Sequence, residues 1–248
     1  MAEGIAMPDM SSIRASGASS EIAAGPIGLL ASLQQSDSFF PGGAMAFSWG
    51  LEGLMRDALV TDAATLFAFV ESQALSRWAS LDQGLVCAAW RAGDSFDAWR
   101  EVDALAEATS LPPALRNGSR RLGRTLADVH ARLGSETASR IREAIVDGRT
   151  RGHLAAVQGA IWRSLHIAEN EARAISAHMT CTGAVSSAVR LGIVGHLDAQ
   201  RVLSLLRAPL AQVLAQPAAP LDDLHAATFA ADIAALRSQT HDARLFAN

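Results

Sequence analysis

Residues able to do chemistry are sparse in this chain, and they gather at a break between helices. Ala188 to Leu203 reads Ala-Val-Arg-Leu-Gly-Ile-Val-Gly-His-Leu-Asp-Ala-Gln-Arg-Val-Leu. Within it, Arg190, Gly192, Gly195, His196, Gln200 and Arg201 crowd between two apolar stretches. Arginine offers planar donors for carboxylates or carbonyls, and glycine offers backbone shape. The break is either a plain helix–helix turn or a surface built for a partner. His178 and Cys181 stand three residues apart. On one helical face they could bind a soft metal; a buried thiol beside a core histidine is the ordinary alternative. The loop Phe39-Phe-Pro-Gly-Gly43 could cradle a ligand on its backbone N–H groups, or simply let a helix start pack tightly.

Several chemistries are excluded outright. All 21 basic residues are arginine, so there is no Schiff-base lysine and no phosphate-loop lysine. No Gly-x-Gly-x-x-Gly follows a strand pattern, and neither His-Glu-x-x-His nor Glu-x-x-His occurs. The histidines 130, 153, 166, 178, 196, 225 and 241 never pair at i,i+3 or i,i+4. No nucleophile-elbow pattern is present. The expectation is no catalytic residue, no metal ligand and no cofactor.

The elements that position these residues read as helices throughout. Ala, Leu, Val and Ile supply the apolar mass, aromatic residues make up 5% of the 248, and tyrosine is absent. Helices are predicted over 26–35, from Ala44 to Met55, from a cap at Thr61 or Asp62 to Leu75, and from Leu81 to Gly93. Further helices follow a cap at Ser95 or Asp97, open at Pro112-Pro113, and cover 136–146, 153–165 and 168–191. One capped by Asp198 carries Val202, Leu205, Leu206, Leu210 and Val213, and the last runs from Leu221 through Leu236. The fold class is all-α: a single helical-bundle domain of roughly ten helices. Residues 1–24 form a flexible extension, 25–216 the helical core, and 217–248 a C-terminal helix and tail of the same domain.

Charge and cysteine usage narrow the partners. The net charge of -4 argues against nucleic acid. Residues 116–151 hold nine arginines, either a surface for an anionic partner or a solvated face with pairs such as Arg124 and Asp128. Two distant cysteines fit a reduced compartment. With no basic start before an apolar run, and the charge-free stretch 174–189 too short to span a bilayer, the expected location is cytoplasmic, without a membrane.

Three segments together resemble the urease accessory protein F family. Ser38-Phe-Phe-Pro-Gly-Gly-Ala-Met-Ala-Phe-Ser-Trp-Gly-Leu-Glu52 is similar to the family's Pro-x-Gly-Gly-Phe-x-x-Ser-x-Gly-Leu-Glu. The break at 188–203 is similar to its Ala-x-Arg-Leu-x-x-Leu-Gly-Gln-x-x-x-Gln, with His196 in place of a glutamine. Ile233-Ala-Ala-Leu-Arg237 and Arg244-Leu-Phe246 resemble its Met-Arg-His-Glu segment and closing Arg-Leu-Phe, with Ser238-Gln239 in place of His-Glu. The resemblance spans about 25–248. It implies an all-helical homodimer without catalytic activity. Such a protein binds the D/H-type accessory protein, recruits and regulates the GTPase accessory protein G, and serves nickel insertion into apo-urease. The contact residues it implies are Pro41, Gly42, Gly43, Trp49, Glu52, Arg190, Gly192, Gly195, His196, Gln200, Arg201, Arg237, Arg244, Leu245 and Phe246. Removing 233–248 is expected to weaken binding to the D/H-type partner while leaving the helical fold largely intact. The competing classes are a helical enzyme with an unrecognised metal-dependent site, and a nucleic-acid regulator acting through 116–151.

Overall fold

The computed structural model describes residues 25–42, 49–110 and 112–238, and its elements are helices. In chain order these are α1 (Pro26–Ser36), α2 (Leu51–Arg56), α3 (Ala63–Gln73), α4 (Gln83–Arg91), α5 (Phe96–Thr109), α6 (Pro113–Arg132), α7 (Glu136–Val146), α8 (Leu154–Ser164), α9 (Glu169–Arg190), α10 (His196–Leu214) and α11 (Phe229–Ser238). The starts follow from local chemistry. Asp62 accepts from the Thr65 N–H, and the Thr65 hydroxyl oxygen accepts from the Asp62 N–H, closing a capping box. Ser95 and Ser135 cap α5 and α7, and Pro26 and Pro113 sit in first turns, where no N–H is needed.

Helix α9 is the spine. Its first half, with Ala172 and Ile175, joins a core built by α4 to α8; its second half, with Cys181, Ala184, Val185 and Ala188, joins one built by α2, α3, α10 and α11. Small residues on several sides let it pack both ways. Helix α8 is the most enclosed element: every residue from Ala155 to Trp162 is buried. A Cβ on Gly159 would stand 2.3 Å from the Val86 carbonyl, so only glycine permits this approach to α4.

The turn before α8 is fixed by one carboxylate. Buried Asp103 accepts from the Thr150 hydroxyl and from the N–H groups of Arg151 (2.8 Å), Gly152 (3.1 Å) and His153 (2.7 Å). His153 in turn donates from Nε2 to Glu107 Oε2 at 2.7 Å, and Arg120 donates to the same carboxylate. Burial pushes the Glu107 carboxyl up, but the Arg120 and His153 donors outweigh it and the net shift is downward.

Four expectations need correction. Helix does not run through Trp49 and Gly50: both have positive φ (53° and 86°), which turns the chain, so α2 starts at Leu51; residues 43–48 lie outside the described residues. The helices expected over 61–75 and 81–93 are joined into one rod, because Ala74–Asp82 between them winds as a π-helix. Leu221 opens only a short 3-10 turn, and the last helix starts at Phe229. Asp198 does not cap the helix after the break: Gly195 is the cap and α10 starts at His196, so Asp198 sits in its first turn.

Candidate partner-binding groove

Two of the three singled-out segments meet. The end of α1 and its following loop, Gln35 to Gly42, form one wall of a groove of ≈ 590 Å³; α9 and the start of α10 form the other. Phe40, Val185, Val189 and Leu203 give it an apolar floor, while Asp37, His178, Arg190, His196 and Gln200 supply polar edges.

The loop wall is pinned from beneath. Buried Gln35 accepts through Oε1 from His130 Nε2 (3.0 Å) and from Trp162 Nε1 (3.3 Å), and the Phe40 ring lies 5.3 Å from the His130 ring. Burial pulls the His130 pKa down to about 4, so the imidazole is neutral at neutral pH. The Asp37 carboxylate accepts from the Phe39 N–H at 2.8 Å and closes the turn, leaving Phe39 93% exposed.

The opposite wall is the helix break. The Gly192 N–H donates to the Val189 carbonyl and the Ile193 N–H to the Ala188 carbonyl, each at 3.0 Å, which ends α9 with Gly192 at φ 73°. Gly195 then caps α10 in extended conformation. Arg190, His196 and Gln200 line the groove from this corner. Arg201 instead pairs outside it with Asp198 at 2.6 Å.

The other expected contact residues are dispersed. Pro41 is exposed beside Gly42, which lines the groove. Trp49 lies against Arg77, its ring centroid 5.5 Å from the guanidinium carbon. Glu52 is buried and accepts from Arg56 at 2.8 Å, so it is turned into the fold. Arg237 stands 3.4 Å from Asp57 of the same chain. Gly43, Arg244, Leu245 and Phe246 lie outside the described residues. The expectation that removing 233–248 leaves the fold largely intact is corrected for α11. Ala231, Ala234 and Ala235 are buried, and a Cβ on Gly53 of α2 would stand only 3.0 Å from the Ala234 Cβ. Helix α11 is core on that side.

His178 and Cys181 are neighbours on α9 in different surroundings. Cys181 is buried, and burial pushes its thiol up to about 12, so it stays protonated; His178 is exposed at the groove, where partial burial lowers its pKa. Among the described residues no three His, Cys, Asp or Glu side chains gather as a metal would need. The arginine-rich stretch pairs across helices instead of along one: Asp128 accepts from Arg142 of α7 at 2.7 Å, not from Arg124. No helix among the described residues is long and apolar enough to cross a membrane.

Sequence reasoning missed Gln35 and the character of α1. That helix is inside out. It buries Gly28, Ser32 and Gln35 and exposes Ile27, Leu29, Leu30 and Leu33. The signal was available: the small and polar residues recur at i,i+4 and i+7, marking the packed stripe.

Comparison with known proteins places this architecture. The UreF family model matches residues 60–207. The urease accessory protein UreF of Rhizobium leguminosarum bv. viciae is 34% identical over 210 residues, covering 84% of this chain and 90% of that protein. The protein of the same name from Agrobacterium fabrum is 32% identical over 212 residues, with the same coverage of each. That from Actinobacillus pleuropneumoniae serotype 3 is 27% identical over 226 residues, covering 90% of this chain and 99% of the relative.

Proposed function

The chain belongs to the UreF family of urease accessory proteins, and from that premise we propose that it is a non-catalytic scaffold for urease maturation. It binds the D/H-type accessory protein, recruits the GTPase accessory protein G and regulates it during nickel insertion into apo-urease, in the cytoplasm. The observation that carries the site assignment is the convergence of Gln35–Gly42 and Arg190–Leu203 on one groove. An apolar floor with hydrogen-bonding edges is the make-up of a protein–protein contact, an apolar core with a polar rim.

Self-association is part of the proposal. Helix α1 exposes four large aliphatic side chains and carries no charge from Pro26 to Ser36. A two-fold contact sets a patch against its own copy, and an uncharged patch meets no like-charge penalty. Light scattering on the Leu30→Arg variant is expected to report a monomer where the native chain reports a dimer.

The test of function is reconstitution. Apo-urease, the D/H-type protein, the G protein, nickel and GTP are combined with and without this chain. Activation is expected only when it is present; equal activation in its absence overturns the proposal.

A further inference from the structure

The π-helical stretch Ala74–Asp82 arranges a second polar site, set apart from the outer groove. Its i→i+5 repeat brings residues five apart toward one face, which an α-helix does not. Arg77 and Asp82 are five apart, and Asp82 Oδ2 stands 3.4 Å from Arg77 Nε. A passing segment holds the stretch in this winding. The N–H groups of His225 and Ala227 donate to the carbonyls of Ser80 (3.1 Å) and Ser76 (2.9 Å), and the Ser80 hydroxyl donates to the His225 carbonyl (2.8 Å).

Arg77 and Asp82 line a chamber of ≈ 40 Å³ with Trp49, Gln158 and Thr180. The Arg77 side chain is 5% exposed, and its buried Nε makes no hydrogen bond. The Gln158 amide donates to the Met179 sulfur at 3.8 Å, a weak acceptor. Buried donors are normally satisfied, so a guanidinium Nε without a hydrogen bond and an amide held only by a thioether, around one small space, call for an acceptor-rich occupant. Burial pushes the Asp82 carboxyl up, against the opposing pull of Arg77 and His153. That favours a neutral hydroxyl donor over a competing anion. The space admits on the order of three water-sized groups. Met179 and Gly183 line both this chamber and the outer groove, and a methionine side chain moves readily.

We propose that the chamber binds a small planar oxyanion of the formate, nitrate or bicarbonate class, held by the Arg77 guanidinium and the Gln158 amide and reached from the groove past Met179. A planar ion offers two coplanar oxygens to the guanidinium fork, the geometry that arginine recognises best. This assignment stands apart from the role in urease maturation, and its test needs no partner protein.

The experiment is calorimetric titration and thermal unfolding of the full chain with sodium formate, nitrate and bicarbonate, against sodium sulfate at matched ionic strength. Saturable one-to-one binding with a rise in Tm is expected for the planar ions and not for the larger tetrahedral sulfate. Arg77→Gln is expected to weaken binding at least tenfold. Thr180→Leu adds bulk to the chamber while keeping the guanidinium in the chain, and it is expected to abolish binding while the circular dichroism stays native. If Arg77→Gln does not fold, Thr180→Leu decides. No saturable binding, an equal response to sulfate, or native affinity in Thr180→Leu overturns the proposal.

Discussion

Two buried polar clusters of this molecule are built from similar residues and reach opposite ends. Around Asp103, Glu107 and His153, each carboxylate faces several donors, and the loop entering α8 is fixed by four hydrogen bonds to Asp103. Around Arg77, Asp82 and Gln158, donors are left short of acceptors and an open space remains. Burial of charge is common to both, so burial does not separate structure from function here. The open space does: four donors close on Asp103, whereas the second cluster borders a chamber, although Arg116 Nε beside Glu107 lacks a hydrogen bond as Arg77 Nε does.

The sharpest way to break the comparison is at Asp103. Asp103→Ala strands the Thr150 hydroxyl and three N–H groups, and a loss of about 3–5 kcal/mol is expected in urea unfolding. Arg77→Gln is expected to cost clearly less, since the Arg77 Nε makes no hydrogen bond that would be lost. Equal losses would mean that the two clusters do the same structural job.

Next in size is Gly159→Ala, which drives a methyl into the Val86 carbonyl and is expected to cost about 1–3 kcal/mol by thermal unfolding.

An effect of similar size, confined to acid, concerns the Gln35–His130 pin beneath the groove. The folded pKa of His130 is about 4, below the ordinary 6.5, so the unfolded chain binds more protons between these values. Its contribution is intact above about pH 6.5 and is lost as pH falls toward 4. A decline of about 2–3 kcal/mol across that window is expected in denaturation curves, and His130→Gln should flatten it. The smallest effect on stability belongs to Leu30→Arg. That exposed change should stay within about 0.5 kcal/mol while self-association disappears.

Much of this arrangement is legible in the sequence. The serine and aspartate caps, the proline starts and the small-residue spine α9 follow from local rules, and the break at 190–201 falls where Gly192 and Gly195 place it. What escapes is long-range. The π winding of 74–82 shifts the helical period, so the continuous rod reads as two helices with a gap. Gln35 reads as one polar residue in an apolar helix until Trp162 and His130, from α8 and α6, close on it. The pairing of Asp128 with Arg142 crosses from one helix to the next, where a one-helix rule chooses Arg124. The meeting of the Phe40 loop with Arg190 and Gln200 is likewise tertiary, and no spacing in the chain announces it.

The central claim is that this groove is where the maturation partners dock. His196 and Gln200 are exposed on one face of α10 at its edge, and replacing both with glutamate alters the groove without touching the core. The direct measurement is urease activation in the reconstituted mixture with His196→Glu/Gln200→Glu, beside its unfolding curve. A native unfolding curve with activation and partner complex lost is the predicted result. Native activation by the folded double variant would contradict the account.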